Sequence, residues 1–400
     1  MSESISSVVL VSCGKRKLDI AAPAKDLYIS ERFQEARKFA ELYGEKWFVL
    51  SAKHGLITPD KILDPYDKDL DSLAPRDKQA WADNVILELS RNSLPTHHVV
   101  VLATNSYCEV LRKKLSTSNF QAIYPLRNLP QGMEERILKC ANSNPTRLNH
   151  HNRFYSLLLR LQKLPGQMKP FHTLNGRQLS KAGVYFFFDK LEPTRFYQEE
   201  TLRVVRIGTH GVSIGSKSLL WQRLRTHRGN DDGTGSHRSS IFRLHVGNSL
   251  LALQGKQSSS WGIGNNASKE TRNSEVDLEI EVSRYLKELL VVYLPVGDAA
   301  SADSDRSYIE KNAISLLTGG GAIDVQTNHW LGNFSPSQQI RESGMWNVNY
   351  VGDNYDSAFL SVLEELIARH EQGRVSQESL APPNWRLHML RGAIDQHELF

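Results

Sequence analysis

The sequence predicts an open, mostly parallel α/β sheet followed by an α+β domain, and three observations predict it. Its 400 residues exceed what one hydrophobic core usually organises. Up to about Leu115, short apolar runs alternate with amphipathic stretches. From Gly183 onward the pattern opens instead on two neighbouring strands and continues as helices.

In the first part, Val8–Val11 is apolar and β-branched and is followed by a Ser-Cys-Gly turn. Ser30–Tyr43 has helical spacing, with Phe33, Ala36 and Ala40 on or beside one face. Trp47–Ser51 is a second strand and Asp77–Leu89 a second helix, preceded by Pro75. Val99–Ala103 is a third strand of buried type and Tyr107–Leu115 a third helix. Short strands that are apolar throughout, separated by helices, imply a parallel sheet covered on both faces.

The expected domains are residues 1–141, a helical linker over 142–178, a second domain over 179–372 and a tail over 373–400. The linker carries a helix at Arg153–Leu164 and is broken by Pro165, Gly166 and Pro170. The second domain opens with a strand at Gly183–Asp189 and its hairpin partner at Arg203–Ile207, then a helix near Ser218–Arg228. Ser258–Asn273 is polar and reads as a mobile insertion. Order returns over Val276–Tyr293, and Tyr308–Leu317 has the spacing of a helix.

No run of about 18 apolar residues suggests a membrane span. The N-terminus lacks the basic region of a signal peptide. Cys13, Cys108 and Cys140 are far apart, which argues against disulfides and cysteine zinc sites and suits a cytoplasmic location. The net charge of +5 only permits a polyanionic partner, but its distribution says more. Arg203, Arg206, Lys217, Arg223, Arg225, Arg228, Arg238 and Arg243 crowd together with His210, His227, His237 and His245. Only Asp231 and Asp232 lie among them, so a phosphate footprint is the better reading than a solvated basic face.

Phosphodiester cleavage needs an activator for the nucleophile, a divalent cation and positive charge for the transition state. The chain supplies candidates in order: Gly183-Val184-Tyr185, Arg206-Ile207-Gly208, Arg223 with His227 four residues on, Tyr308-Ile309-Glu310, and Trp330-Leu331-Gly332-Asn333. This order resembles the GIY-YIG nuclease superfamily, in particular its restriction-type members, over most of 183–349. The resemblance implies a small sheet flanked by helices and a metal-dependent DNA endonuclease. Its site would comprise Tyr185, Arg206, His210, Arg223, His227, Glu310 and Asn333, with Glu310 holding Mg²⁺ or Mn²⁺. Arg206 stands where the family has its second tyrosine, which leaves Tyr185, His227 and His210 as candidate bases in that order. Helical spacing puts Arg223 and His227 on one face, and a hard carboxylate suits Mg²⁺. Arg225, Arg228, His237, Arg238 and Arg243 are further candidates for DNA contact, Arg238 and Arg243 as phosphate partners. The segment Gly235–Arg243 reads equally well as a strand with basic residues outward. Trp346, Asn347 and Asn349 either cap the fold or serve the site.

In the first domain, Ser12-Cys13-Gly14-Lys15 forms a small cationic turn after a strand, a natural anion site in an open α/β sheet. With Asp26, Lys53, His54, Asp64 and Asp67 on neighbouring loops, it resembles the YaaA-like domains over about residues 7–140. That resemblance implies recognition of nucleic acid or nucleobases. Two readings compete: a module that docks on DNA, plain or base-modified, and directs the nuclease in defence against foreign DNA, or a base-processing glycosylase using Asp26, Asp64 or Asp67. A structural module, and a DNA-binding protein with a degenerate nuclease fold, are the non-enzymatic alternatives. A homodimer would account for double-strand cutting.

Overall fold

The computed structural model describes residues 7–92, 98–129, 132–375 and 377–386. The expected C-terminal tail lies outside the described residues from 387 onward. The chain divides into two compact units. The first comprises residues 1–148 with two later segments, 193–201 and 323–328, and the second comprises the remainder.

The first unit is built on β1 (Ser7–Ser12), β2 (Lys46–Ser51), β3 (Gly55–Ile57), β4 (His98–Leu102) and β5 (Gln121–Ile123), in the order β3-β2-β1-β4-β5. All pairings are parallel except β2–β3. Alternation along a strand sends neighbours to opposite faces. Val9, Val11, Val49 and Val100 therefore pack with Phe33, Ala36 and Phe39 of α1 (Glu31–Tyr43). Val8, Leu10, Phe48 and Val101 pack on the other face with Trp81, Ala82 and Val85 of α2 (Pro75–Asn92). Both faces are covered, which is why these strands read as unbroken apolar runs. Ser30 caps α1 by accepting the Phe33 N–H at 3.4 Å. The third helix, α3, spans Asn105–Leu115, and α4 spans Met133–Ser143.

The second unit holds α5 (Pro145–Gln162) and a four-stranded sheet of β6 (Lys169–Pro170), β7 (Gly183–Pro193), β8 (Leu202–Gly208) and β9 (Leu290–Pro295). Its order is β8-β7-β9-β6, with β9 antiparallel to both β7 and β6. The expected linker is not a linker. From Asn149 onward it belongs to the second unit, where β6 pairs with β9 and Phe171 is buried against Phe187. One face of β7 carries Tyr185 and Phe187 into the main core, and on the other Phe186 meets Phe154 of α5.

Around this sheet lie α6 (Leu220–Arg228), α7 (Ile241–Leu253), α8 (Val276–Glu288), α9 (Asp305–Thr318) and α10 (Phe359–Glu371). The segment Gly235–Arg243 is not a strand. It makes a 3-10 turn at His237–Ser239 and then enters α7, whose Phe242 and Val246 are core residues at helical spacing. The polar stretch Ser258–Asn273 is tied down by Trp261, which is buried and stacks on His237 at 3.8 Å. A single large aromatic supplies the anchor that mean composition hides.

No helix among the described residues is long and apolar enough to cross a membrane. Cys13, Cys108 and Cys140 are all free.

Candidate active site

The start of β7 lies beside the end of β8, and each contributes a glycine that sterics demand. A Cβ on Gly183 would overlap the Leu294 carbonyl of β9, and one on Gly208 would overlap the phenol of Tyr185. Gly208 thus makes room for the tyrosine on the preceding strand. Gly208→Ala is expected to displace that ring and lower strand cleavage by about 10²-fold, the scale of a misplaced catalytic group. Steady-state rates alongside an unchanged far-UV circular dichroism spectrum check this. A variant with full activity would show that the Tyr185 position is not needed.

Tyr185 is buried, its hydroxyl 2.9 Å from His227 Nε2 on α6. His227 Nδ1 lies 2.7 Å from Ser240 Oγ, which also accepts the Arg243 N–H at 3.2 Å. Burial pulls the His227 pKa well below the ordinary histidine value, and Arg206, Arg223 and Arg243 push the same way. His227 is therefore a neutral hydrogen-bond partner that fixes Tyr185, and it has no exposed surface with which to meet a substrate.

Arg206, in place of the second tyrosine, is also buried. Its guanidinium lies over the Phe242 ring at 4.6 Å and donates to the Trp346 carbonyl at 2.8 Å. Tyr185, Arg223 and Glu310 all act on it electrostatically. The strand that carries it is clasped by the 344–347 segment. Trp346 donates its N–H to the Val205 carbonyl at 2.7 Å, and the Asn347 side chain bonds both the N–H and the carbonyl of Ile207. Asn333 lies on a 3-10 turn, Leu331–Phe334, beside the core residues Trp330 and Leu331. Asn347 is an asparagine that holds the site strand.

Glu310 comes from α9, a helix buried at every position but Glu310 and Lys311. Its carboxylate accepts the Thr209 N–H. Burial pushes its pKa up to about 7, against the opposing pull of Arg206, Thr209 and Arg223. Among the described residues no three His, Cys, Asp or Glu side chains cluster as a metal cage. A lone carboxylate of this kind fits Mg²⁺ or Mn²⁺, ions that retain most of their waters.

Beside these groups, Thr209, His210, Gln222, Arg223 and Thr226 line a cleft of about 400 Å³. His210 contacts the Lys181 carbonyl through Nε2 at 3.2 Å, and its buried Nδ1 has no hydrogen-bond partner among the described residues. Burial, reinforced by Arg306, pulls its pKa down to about 4, so it is uncharged at neutral pH. Arg306 anchors the His210 loop, donating to the His210 carbonyl at 3.0 Å while paired with Asp298 at 2.8 Å. A second cleft of about 380 Å³, lined by Arg225, Asn230 and Ser236 among others, adjoins the first through Gln222 and Thr226. Together they form a groove along the outer face of α6.

Three of the residues assigned to DNA contact are not free for it. Arg243 is fully buried and binds Glu279 at 2.5 Å, and His237 is buried with its ring and its N–H both on Glu279. Arg238 makes a two-pronged pair with Glu275 at 2.5 and 2.9 Å. Their acidic partners sit about forty residues downstream on or beside α8, so sequence proximity could not reveal them. Arg228 is partly committed, donating to the Leu174 carbonyl and to Asp231 while lying over Trp221. Arg225 remains exposed in the groove.

In the first unit, Ser12, Cys13, Lys53 and His54 gather as expected, but around tyrosines the sequence reading did not single out. Gly14 packs against Ser30 and Tyr28, and Lys15 faces Asp69 at 3.9 Å. The carboxylates of the glycosylase reading are elsewhere engaged or outward: Asp26 pairs with Arg37 at 2.7 Å, and Asp64 and Asp67 are exposed.

A buried tyrosine, two arginines and a half-buried glutamate share one neighbourhood on a small sheet, and one of the arginines, Arg223, lines an open cleft. The chain belongs to the GIY-YIG family: the GIY-YIG domain model matches residues 145–373, more than half of its length. That membership supports nuclease activity in general. Residues 8–140, the part resembling YaaA-like domains, match a family of unknown function, DUF6884. The chain is 33% identical over 60 residues to the uncharacterized protein YfjM of Bacillus subtilis (strain 168). That likeness covers 14% of this chain and 40% of YfjM. No solved structure matches it.

Proposed function

We propose that this protein is a divalent-metal-dependent endonuclease that hydrolyses DNA, with its N-terminal unit selecting the target. The observation that carries this reading is the shared neighbourhood of Tyr185, Arg206, Arg223 and Glu310, brought from two strands and two helices. Hydrolysis joins a water oxygen to phosphorus, takes a proton from that water, and sends a sugar oxygen away with the electron pair of the broken bond. Arg223 offers a planar fork for phosphate oxygens in the cleft, and Arg206 adds fixed positive charge behind it. Glu310 would hold Mg²⁺ or Mn²⁺, which when bound supplies Lewis-acid charge at the phosphate. Tyr185, locked by His227, is placed to orient the water and to take up its proton while its own phenolic proton passes to His227 Nε2. His210, uncharged and lining the cleft, replaces His227 as the next candidate for meeting the water directly. The groove past Gln222, Thr226 and Arg225 gives a strand somewhere to lie.

A nuclease site paired with a separate α/β unit that carries its own polar cluster supports action on chosen DNA, such as foreign or base-modified DNA in defence. The test is incubation of the purified chain with plain and base-modified plasmid, with Mg²⁺, with Mn²⁺ and with chelator. Cleavage confined to the metal-containing reactions, and faster on one class of DNA, is the expected result. Binding without cleavage under every condition would identify a DNA-binding protein with a degenerate nuclease fold.

A further inference from the structure

The tyrosine cluster of the first unit is unused by the nuclease chemistry, and its place in the fold is informative. From β1 the chain passes to β2 on one side and later to β4 on the other, both parallel to it. The strand order therefore reverses at β1, and the carboxyl ends of such strands form the crevice where open α/β sheets bind ligands. Ser12 ends β1, Ser51 ends β2, and Tyr107 lies on the helix after β4.

Five neutral hydrogen-bonding groups meet there. Cys13 Sγ is 3.3 Å from the Tyr107 hydroxyl. The Tyr66 hydroxyl is 2.7 Å from that of Tyr28 and 2.6 Å from Ser51 Oγ. Burial raises the pKa of Tyr28 and Tyr107, and that of Tyr66 to about 12, so these phenols stay neutral and can both donate and accept. Cations fringe the cluster. Lys17 and Lys53 sit 4.8 and 5.5 Å from the Tyr66 ring centre, and among the described residues neither is in an ion pair. Arg32 donates to Ser12 Oγ at 2.9 Å and pairs with Glu134 at 3.4 Å, yet its buried Nη1 has no hydrogen-bond partner among the described residues.

We propose that this carboxyl edge is a nucleotide-binding site, taking the phosphate on Lys17, Lys53 and Arg32 and the base edge on the Tyr66 hydroxyl, which Tyr28 and Ser51 orient from behind. The site stands independently of the nuclease reading. The same chemistry is presented by a free nucleotide and by a nucleotide unit of a DNA strand.

Calorimetric titration of the full-length chain with the four nucleoside 5′-monophosphates tests it, with inorganic phosphate and the free nucleosides as controls. At least one monophosphate should bind saturably, more tightly than its phosphate or nucleoside alone. Lys17→Ala with Lys53→Ala, and separately Tyr66→Phe, should each weaken it by about tenfold or more, the scale of a charge-assisted hydrogen bond or an orphaned buried hydroxyl. The lysines make no ion pair among the described residues, so the double lysine variant should keep its melting temperature, and plasmid cleavage per bound DNA should be unchanged in both variants. A single-stranded oligonucleotide that displaces the monophosphate assigns the site to DNA, and one that does not assigns it to a free nucleotide. No binding of any monophosphate, or binding equal in the variants and the parent, overturns the proposal.

Discussion

Replacing Glu310 by alanine is expected to lower metal-dependent strand cleavage by roughly 10³-fold or more, because it removes the carboxylate that would hold the divalent cation. The size follows from its isolation. Among the described residues no cluster of three metal-ligating side chains exists to take over. Arg206 and Arg223 already supply the site's positive charge, so loss of the carboxylate leaves DNA binding intact or stronger. Melting should change little, since Glu310 is one of two partly exposed positions on a helix otherwise held by its buried faces. The measurement is single-turnover cleavage beside a DNA-binding isotherm at fixed ionic strength. Cleavage equal to the parent would remove Glu310 from the metal site. Loss of cleavage together with loss of binding would instead make it an organiser of the fold.

Arg243→Ala is expected to cost stability, about 3–5 kcal/mol, because it strands a buried carboxylate. For a unit of this size that corresponds to a melting point lower by on the order of 10 °C. Arg243 joins Glu279 and Ser283 of α8 to the His227 carbonyl at the end of α6. The pair lies directly behind Tyr185's partner, so activity should fall with the fold. Exchange of the whole pair, Arg243→Met with Glu279→Leu, removes both charges and should recover much of the stability. The pH dependence has a definite sign. Burial alone would raise the Glu279 pKa, but His237 and Arg243 outweigh it and hold it below the ordinary value of 4.5. Its contribution is then fully present above that value and is lost as pH falls through the lower, folded one. In the single variant the stranded carboxyl is relieved by protonation. The stability gap between parent and variant should therefore shrink from pH 7 toward pH 4. A gap constant across that range would show that Arg243 acts by packing alone.

How much was legible in the sequence varied with how local each signal is. Strand β1 and helix α1 were readable because apolar runs and helical periodicity are local consequences of burial. The order of Tyr185, Arg223 and Glu310 along the chain was readable because it follows the family pattern, and Gly183 and Gly208 now have steric reasons. The roles of the remaining basic residues were not. Arg225 and Arg243 are the same residue type in the same basic run, yet one is exposed in the groove and the other is fully buried. What separates them is Glu279, thirty-six residues beyond Arg243 and brought to it only when α8 packs on α7. The helical linker failed for a similar reason, since pairing of Lys169–Pro170 with β9 depends on a strand more than a hundred residues away.

The sequence by itself therefore determined the GIY-YIG family pattern and the strands and helices whose signals lie within a few residues of one another. Only the tertiary structure decided which cations stay exposed, which histidine lines the cleft, and that three tyrosines converge beside Cys13. Charge in a chain is a composition, but its availability depends on which counter-charge folding brings within hydrogen-bond reach.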